Sequence, residues 1–307
     1  MRKAMASSFR MYLSSMIKDL YLARKLWEIA KTWVGMVSSL YAFAVLLNNL
    51  VGISAAKGLC EKWWVALVVL GALCALWANR EKTFFVATAK VAGLQIQAKV
   101  GDLFACDAQS VVIPTNTFFR TRMKGEYISP RSVQGAFQSR IYTRPTEDLD
   151  KAIADSLRKQ GLNGERARDE FGVVNRFPVG TVAKVDYKGK HYYFLAMNDV
   201  NEYGKPVGQS YENVSEALDG LKRAIHYFGH CDELAMPLVG AGRAAIKDAS
   251  CDRVAFDIVD MYLGSQEKLA QKLIVCVSPE DYVQQRIDFE RLAKYIGYRC
   301  EFDQLAG

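Results

Sequence analysis

Residues 99–116 read KVGDLFACDAQSVVIPTN, and residues 237–246 read PLVGAGRAAI. In the first stretch a Gly101-Asp102 pair is followed by SVVIP, an apolar run with no polar alternation, ending close to Asn116. Such a run fits a strand buried on both faces, as in a parallel sheet. In the second stretch the apolar residues before Val239 read as the end of a strand, and Gly240 and Gly242 open a loop. Without Cβ atoms, the N–H groups of that loop can approach phosphate oxygens closely, and Arg243 adds charge. An ionised Asp102 only accepts hydrogen bonds, which suits an amino group such as that of adenine. Asn116 can both donate to and accept from a ribose hydroxyl. Each of these residues taken alone is more often a turn former.

Outward from these stretches the chain alternates strands and helices. Residues 84–98 read as a strand or strand pair. Helices are expected at 132–141, 147–159, 212–228 and 248–263, with a last one at 279–296. A hairpin is expected at 181–186 and 191–197, turning at Lys188-Gly189, and further strands at 233–239 and 272–278. This order implies a largely parallel or mixed sheet covered by helices on both faces. Residues 125–137, GEYISPRSVQGAF, contain a helix start: Ser129 or Ser132 can cap it and Pro130 suits its first turn. The free N–H groups over 132–135 (Ser132, Val133 and Gly135 among them) then form an anion site. Anion-prepared loops at the carboxyl ends of strands converge in such folds, so one pyrophosphate can lie between this turn and the glycine loop.

The amino-terminal part is different. Residues 1–82 hold 11 Lys/Arg against 4 Asp/Glu, whereas residues 83–307 hold 29 of each. The basic excess therefore belongs to the first part alone, which speaks against nucleic acid as a partner. Residues 1–31 carry a helical stripe of Phe9, Leu13, Met16, Leu20 and Trp27 and read as a basic amphipathic helix. Residues 32–56 contain no charge, and neither do residues 63–79. The first of these rises ~37 Å and the second ~26 Å, against a hydrocarbon core of ~30 Å. Trp63, Trp64 and Trp77 mark the ends of the second as an aromatic belt would. The expectation is a transmembrane hairpin, and the flanking Lys/Arg put both termini in the cytoplasm.

Other chemistry has little support. The seven cysteines are scattered with no CxxC pair, which suggests reduced thiols and no zinc site. His226 and His230 at helical spacing beside Cys231 fit an exposed helix end better than a metal site. GAGRAA has the GxGxxA shape of a dinucleotide fingerprint, but it comes late in the domain and lacks the acid after the next strand. Walker A, HExxH and GxSxG motifs are absent.

The order Gly101-Asp102, VVIPTN to Asn116, then PLVGAGRAA resembles a macro domain, the ADP-ribose-binding α/β/α module, over residues 99–298. Joined to the apolar stretches, that resemblance gives an expected architecture of an N-terminal transmembrane helical hairpin (32–80, after the arm at 1–31), read from the stretches themselves, plus a C-terminal α/β/α three-layer macro-like domain with a mixed sheet (83–307). The resemblance implies ligand contacts at Asp102, Leu103, Asn116, Ser132, Val133, Gly135, Val239, Gly240, Ala241, Gly242 and Arg243. By position in the sequence, Phe118, Glu126, Tyr127 and Asp199 are the candidates to recognise the ligand's terminal group. Macro-domain hydrolases carry a GGG-type loop soon after the asparagine; residues 116–137 here read NTFFRTRMKGEYISPRSVQGAF instead. Binding without catalysis is the expectation, with a membrane-tethered ADP-ribosyl hydrolase as the alternative.

The ISPRSVQGAF variant behind two apolar stretches resembles the membrane-anchored macro effectors of type II Thoeris antiphage systems. That family implies a partner TIR-domain enzyme that makes histidine–ADP-ribose, sensed here as the ligand, with no other cofactor. It also implies a homo-oligomer in the lipid bilayer, multi-pass in the inner membrane, that damages the membrane when the signal arrives.

Overall fold

A computed structural model of the chain describes residues 23–51, 64–78, 83–90, 93–123, 128–201, 203–208, 210–240, 250–284 and 286–302. The chain divides into two units, Met1–Lys82 and Thr83–Gly307.

The first unit holds two helices, α1 (Ala23–Val51) and α2 (Trp64–Ala78). They pack closely where Trp33 Nε1 donates to Val68 O at 3.0 Å. A Cβ on Gly71 would lie 2.8 Å from Val37 Cγ2, so the approach depends on glycine there. Gly35 on α1, by contrast, has nothing within 4 Å of where its Cβ would be.

The expectation of a transmembrane hairpin is overturned. Among the described residues, no helix is long and apolar enough to cross a membrane. With 15 residues, α2 rises only ~22 Å, short of a ~30 Å hydrocarbon core. The 29-residue α1 has the length but not the composition. It begins well before the uncharged run and carries Arg24, Lys25, Glu28 and Lys31, and Ser38, Ser39, Asn48 and Asn49 dilute the rest. The multi-pass inner-membrane location with both termini cytoplasmic falls with it. Residues 1–22 of the expected amphipathic arm and the connection at 52–63 lie outside the described residues.

The second unit begins with β1 (Phe84–Thr88) and β2 (Gln95–Val100), an antiparallel pair. Then come β3 (Ser110–Asn116), α3 (Val133–Arg140) and α4 (Thr146–Lys159). A separate two-stranded hairpin, β4 (Glu165–Asp169) with β5 (Gly172–Arg176), precedes β6 (Val182–Tyr187), β7 (Lys190–Val200) and β8 (Pro206–Val207). The chain closes with α5 (Tyr211–Phe228), β9 (Cys231–Pro237), α6 (Cys251–Leu263), β10 (Ala270–Val277), α7 (Pro279–Val283) and α8 (Phe289–Phe302).

The main sheet runs β1-β2-β10-β9-β3-β7-β6, with β8 paired to β7. Strands β2, β10, β9, β3 and β7 are parallel, and β1, β6 and β8 add on antiparallel. The sheet is thus mixed, and SVVIP lies in its middle, with Val111, Val112 and Ile113 buried.

Side-chain alternation divides the core into two layers. Val111 and Ile113 of β3, Tyr192, Phe194 and Ala196 of β7 and Ala183 and Val185 of β6 pack with Phe137 of α3 and Leu149, Ile153 and Leu157 of α4. The last three stand at i, i+4 and i+8, the stripe that fixes α4 on the sheet. On the opposite face Tyr193 of β7 meets Phe228 of α5 at 6.2 Å between ring centroids. There α5 touches the loop before β6 backbone to backbone, since a Cβ on Gly220 would sit 1.9 Å from Gly180 O. The result is an α/β/α sandwich.

The β4–β5 hairpin was not expected from the sequence. The single final helix expected over 279–296 is instead two, α7 and α8. Gln284 closes the first, and Asp288 Oδ1, which accepts from Arg291 N at 3.0 Å, starts the second.

Candidate functional site

Parallel strands bring all their carboxyl ends to one edge of the sheet, and a crevice there is the usual place for a ligand in an open α/β fold. At this edge β2 leads into Gly101-Asp102, β10 into Ser278, β9 into Leu238-Val239-Gly240, β3 into Thr117 and β7 into Asn201. Neighbouring strands lie ~4.8 Å apart, so Gly240 and Asn116 emerge about one strand spacing apart and Gly240 and Asp102 about two.

Asp102 stands at the start of a 3₁₀ turn, Leu103–Ala105. Its Oδ1 accepts from Phe104 N at 3.1 Å, and its Oδ2 takes a guanidinium N–H of Arg140. The Gly101 N–H donates to Val277 O at 3.0 Å, which ties the turn to the end of β10. Leu103 is buried in the core against α3, so only its backbone is available to a ligand.

Asn116 is a turn former as well as a candidate contact. Its Oδ1 accepts from Phe118 N at 3.0 Å and Arg120 N at 3.4 Å, which uses the oxygen on the bend that holds Phe119 at φ +50°. Its Nδ2 group is what it can offer to a ribose hydroxyl. A β-bulge between Thr115 and Asn116 sets Asn116 opposite Asn198 of β7.

Ser132 caps α3, and its Oγ accepts from Gly135 N at 3.0 Å while donating to Ser129 O at 2.7 Å. The Gly135 N–H is therefore already bonded, and the free donors of the first turn belong to Val133 and Gln134. Gly135 matters for packing instead. A Cβ there would lie 2.1 Å from Ser129 O, so only glycine admits the turn of residues 128–131 against α3. Gln134 fixes the helix start to β3. It accepts from Thr115 Oγ1 at 2.9 Å and donates to Arg120 O at 2.9 Å.

Val239 is fully buried, and Gly240 follows with φ +78°, in the left-handed region that favours glycine. Ala241, Gly242 and Arg243, with the rest of the loop to 249, lie outside the described residues, as do Glu126 and Tyr127.

At the far end, Asp199 Oδ1 accepts from Thr117 Oγ1 at 2.8 Å and from its neighbour Val200 N at 2.9 Å. Arg176 of β5 lies 3.4 Å from the same oxygen and over the Phe118 ring at 5.2 Å. Arg120 also bonds Asp169 at 2.6 Å, so the β4–β5 hairpin is fastened beside the ends of β3 and β7. Buried here without hydrogen-bond partners are Asn198 Oδ1 and Arg176 Nε.

Sequence reasoning missed Arg140, Thr115, Gln134 and Arg176. A basic residue in a last helical turn is ordinary, and a polar Thr-Gln contact across nineteen positions leaves no periodic mark. Among the described residues, no group of three His, Cys, Asp or Glu is placed to hold a metal. The expected exposed helix end carries His226, whose Nδ1 pairs with Glu267 Oε2 at 2.6 Å.

A family model described as "Thoeris protein ThsA, Macro domain" matches residues 96–278. No curated protein matches the chain. Among solved structures, the Oceanobacillus iheyensis macrodomain with MES bound is similar at 10% identity and a TM-score of 0.47, over 70% of this chain and 99% of that one. The same macrodomain with ADP gives 10% identity and a TM-score of 0.46, over 71% and 100%. The macrodomain of Thermus aquaticus DarG gives 14% identity and a TM-score of 0.38, over 59% and 98%.

Proposed function

The chain belongs to the family of Thoeris ThsA macro domains, and from that premise we infer that it is a receptor for an ADP-ribose-derived nucleotide, read out without catalysis. One observation carries the reading: an acceptor carboxylate (Asp102), a positive-φ glycine turn (Gly240) and an asparagine (Asn116) stand at the carboxyl ends of β2, β9 and β3, with β10 between the first two. Adenine's amino group then meets Asp102, the diphosphate lies on the amides around Gly240 and at the start of α3, and a ribose hydroxyl meets Asn116.

The signal is histidine–ADP-ribose supplied by a TIR-domain enzyme, and its arrival changes self-association of the chain. Supporting the second part are the exposed apolar side chains of the first unit, such as Tyr41, Phe43, Leu70 and Leu73, a surface that solitary soluble chains seldom carry. A ligand can drive assembly only by binding the assembled state better than the resting one. The non-catalytic part of the reading is supported by Asn116 Oδ1, which is engaged by two backbone N–H groups and so is poorly placed to hold a hydrolytic water.

Calorimetry on the whole chain with ADP-ribose and its amino-acid conjugates tests this. Gly240→Glu places a carboxylate against the diphosphate and should abolish binding. Failure of the unaltered protein to bind any of these ligands sinks the receptor reading. Turnover of an ADP-ribosylated substrate, lost in Asn116→Ala, would replace it with the hydrolase.

A further inference from the structure

Two thiols that the ligand does not use lie beneath the Asp102 turn. Cys106 closes the 3₁₀ turn that Asp102 opens, and Cys276 is the penultimate residue of β10, the strand to which Gly101 is hydrogen-bonded. Their Sγ atoms are 3.8 Å apart. Cys276 Sγ also lies 3.4 Å from Gly101 O, and Cys106 Sγ 3.7 Å from Asp102 O. Both residues are buried, yet Ala105 and Asp107 on either side of Cys106 are exposed, so the turn itself is at the surface.

The two sulfurs are not equivalent. The hydrogen bond shared with Cys276, helped by the charge of Lys99, holds the Cys106 thiol below its ordinary value despite burial. The same hydrogen bond and burial push the Cys276 thiol up. One sulfur is thus the better nucleophile and the other remains protonated beside it, the usual division between an attacking and a resolving cysteine.

We propose that Cys106 and Cys276 form a reversible oxidation site, in which a peroxide converts the pair to a disulfide and draws the Gly101-Asp102 turn out of its resting position on the sheet. The Cys106 thiolate attacks one oxygen of hydrogen peroxide; the O–O bond breaks, and the departing hydroxide takes the proton that Cys106 gave up, leaving a sulfenic acid and water. Cys276 sulfur then attacks Cys106 sulfur; the S–O bond breaks, the S–S bond forms, and the departing hydroxide takes the Cys276 proton as a second water. The thiols lose two electrons and the peroxide gains them.

A disulfide bond is ~2.05 Å long, so the sulfurs must close by roughly 1.8 Å. Strand β10 cannot supply that movement, because β2 and β9 hold it on both sides. Rotation of the two side chains supplies part of the movement and the surface turn the rest, and the carbonyls of Gly101 and Asp102 lose their thiol donors. The consequence for binding rests on the receptor reading: displacing Asp102 should weaken ADP-ribose at least tenfold, and by reciprocity bound ADP-ribose should shift the thiol–disulfide equilibrium toward the reduced pair by the same factor.

The whole chain is treated with graded hydrogen peroxide, unfolded, alkylated with iodoacetamide and mapped by peptide mass. The expected product is a Cys106–Cys276 crosslink at doses that leave Cys231, Cys251 and Cys300 alkylated, reversed by dithiothreitol. Absence of that crosslink, or earlier oxidation of Cys231, Cys251 or Cys300, overturns the proposal, and this mapping needs neither a variant nor a ligand. Calorimetry on reduced and oxidised protein then reads the coupling. C106S and C276S should each keep ADP-ribose binding after peroxide. A crosslinked protein that binds as tightly as the reduced one, or equal loss of binding in C106S, overturns the link to the turn. If reduced protein does not bind ADP-ribose at all, the receptor reading fails while the crosslink still stands or falls by itself.

Discussion

Arg140, in the last turn of α3, forms an ion pair with Asp102 across 38 residues of chain. The helix that begins beside Thr115 at the end of β3 therefore ends at the turn after β2, linking the carboxyl ends of those two strands. Both carboxylate oxygens of Asp102 already have partners, Phe104 N and Arg140.

Asp102→Asn should lower ADP-ribose affinity at least tenfold, since it replaces the acceptor oxygen that Arg140 uses with an amide donor facing adenine's amino group. Arg140→Ala should tighten binding severalfold, because the carboxylate is no longer shared. Neither should move thermal stability much, as exposed ion pairs are worth ~0–1 kcal/mol. Calorimetry paired with a thermal melt separates the two effects; weaker binding by Arg140→Ala would show that the guanidinium holds Asp102 in place instead of competing for it.

Three glycines should respond very differently to alanine. Gly135→Ala and Gly220→Ala put a Cβ 2.1 Å from Ser129 O and 1.9 Å from Gly180 O, both backbone atoms that cannot step aside cheaply. Each should cost more than ~2 kcal/mol in a urea melt. Gly101→Ala meets only Lys99 Cε at 3.6 Å and should be nearly neutral.

Ser132→Ala removes the acceptor for Gly135 N and should destabilise the fold by ~1 kcal/mol. The freed N–H also disturbs the first turn that faces the diphosphate, so ADP-ribose affinity should fall in the same variant. Ser132→Asp restores the cap but brings a negative charge, and should recover stability without recovering affinity.

The carboxyl of Asp252 has its proton affinity raised, by burial first, against the Asp288 N–H that it accepts at 2.9 Å and the charge of Arg291. A group that is more basic in the folded state favours folding most when protonated. Its contribution is complete below the ordinary value of 3.8 and is lost as pH rises through the folded value. Asp252→Asn keeps an acceptor for Asp288 N–H and should flatten that part of the stability profile, with a higher melting temperature at pH 7 than the parent. A lower one at that pH would show that the charge is favourable where it stands.

The sheet was legible wherever burial wrote itself into composition. SVVIP could only be an interior strand, and Leu149, Ile153 and Leu157 could only be one face of a helix. The β4–β5 hairpin was not legible, because ERARD and GVVNR are exposed or half-buried at nearly every position and show no alternation of apolar and polar residues. The break between α7 and α8 was signalled by Asp288 as a helix cap, but the apolar spacing runs on through Tyr282 and Phe289 and hid it. The uncharged run at 32–56 misled for a related reason. Lack of charge is weaker than sustained apolarity, and Ser38, Ser39, Asn48 and Asn49 are uncharged yet polar. Of the site, Asp102, Asn116 and Gly240 stand where strand ends put them. The partners that occupy them, Arg140 and the amides of Phe118 and Arg120, come from packing and have no local mark.

Strand β10 is the last strand of the sheet in chain order, yet it lies between β2 and β9. During synthesis, β9, β3, β7 and β6 can pair, and so can β1 with β2, but the two groups stay unjoined until residues near 277 leave the ribosome. No shorter nascent chain can hold Asp102 and Gly240 at their final separation, so competence for the nucleotide arrives late and all at once, and chains interrupted before β10 are blind to it.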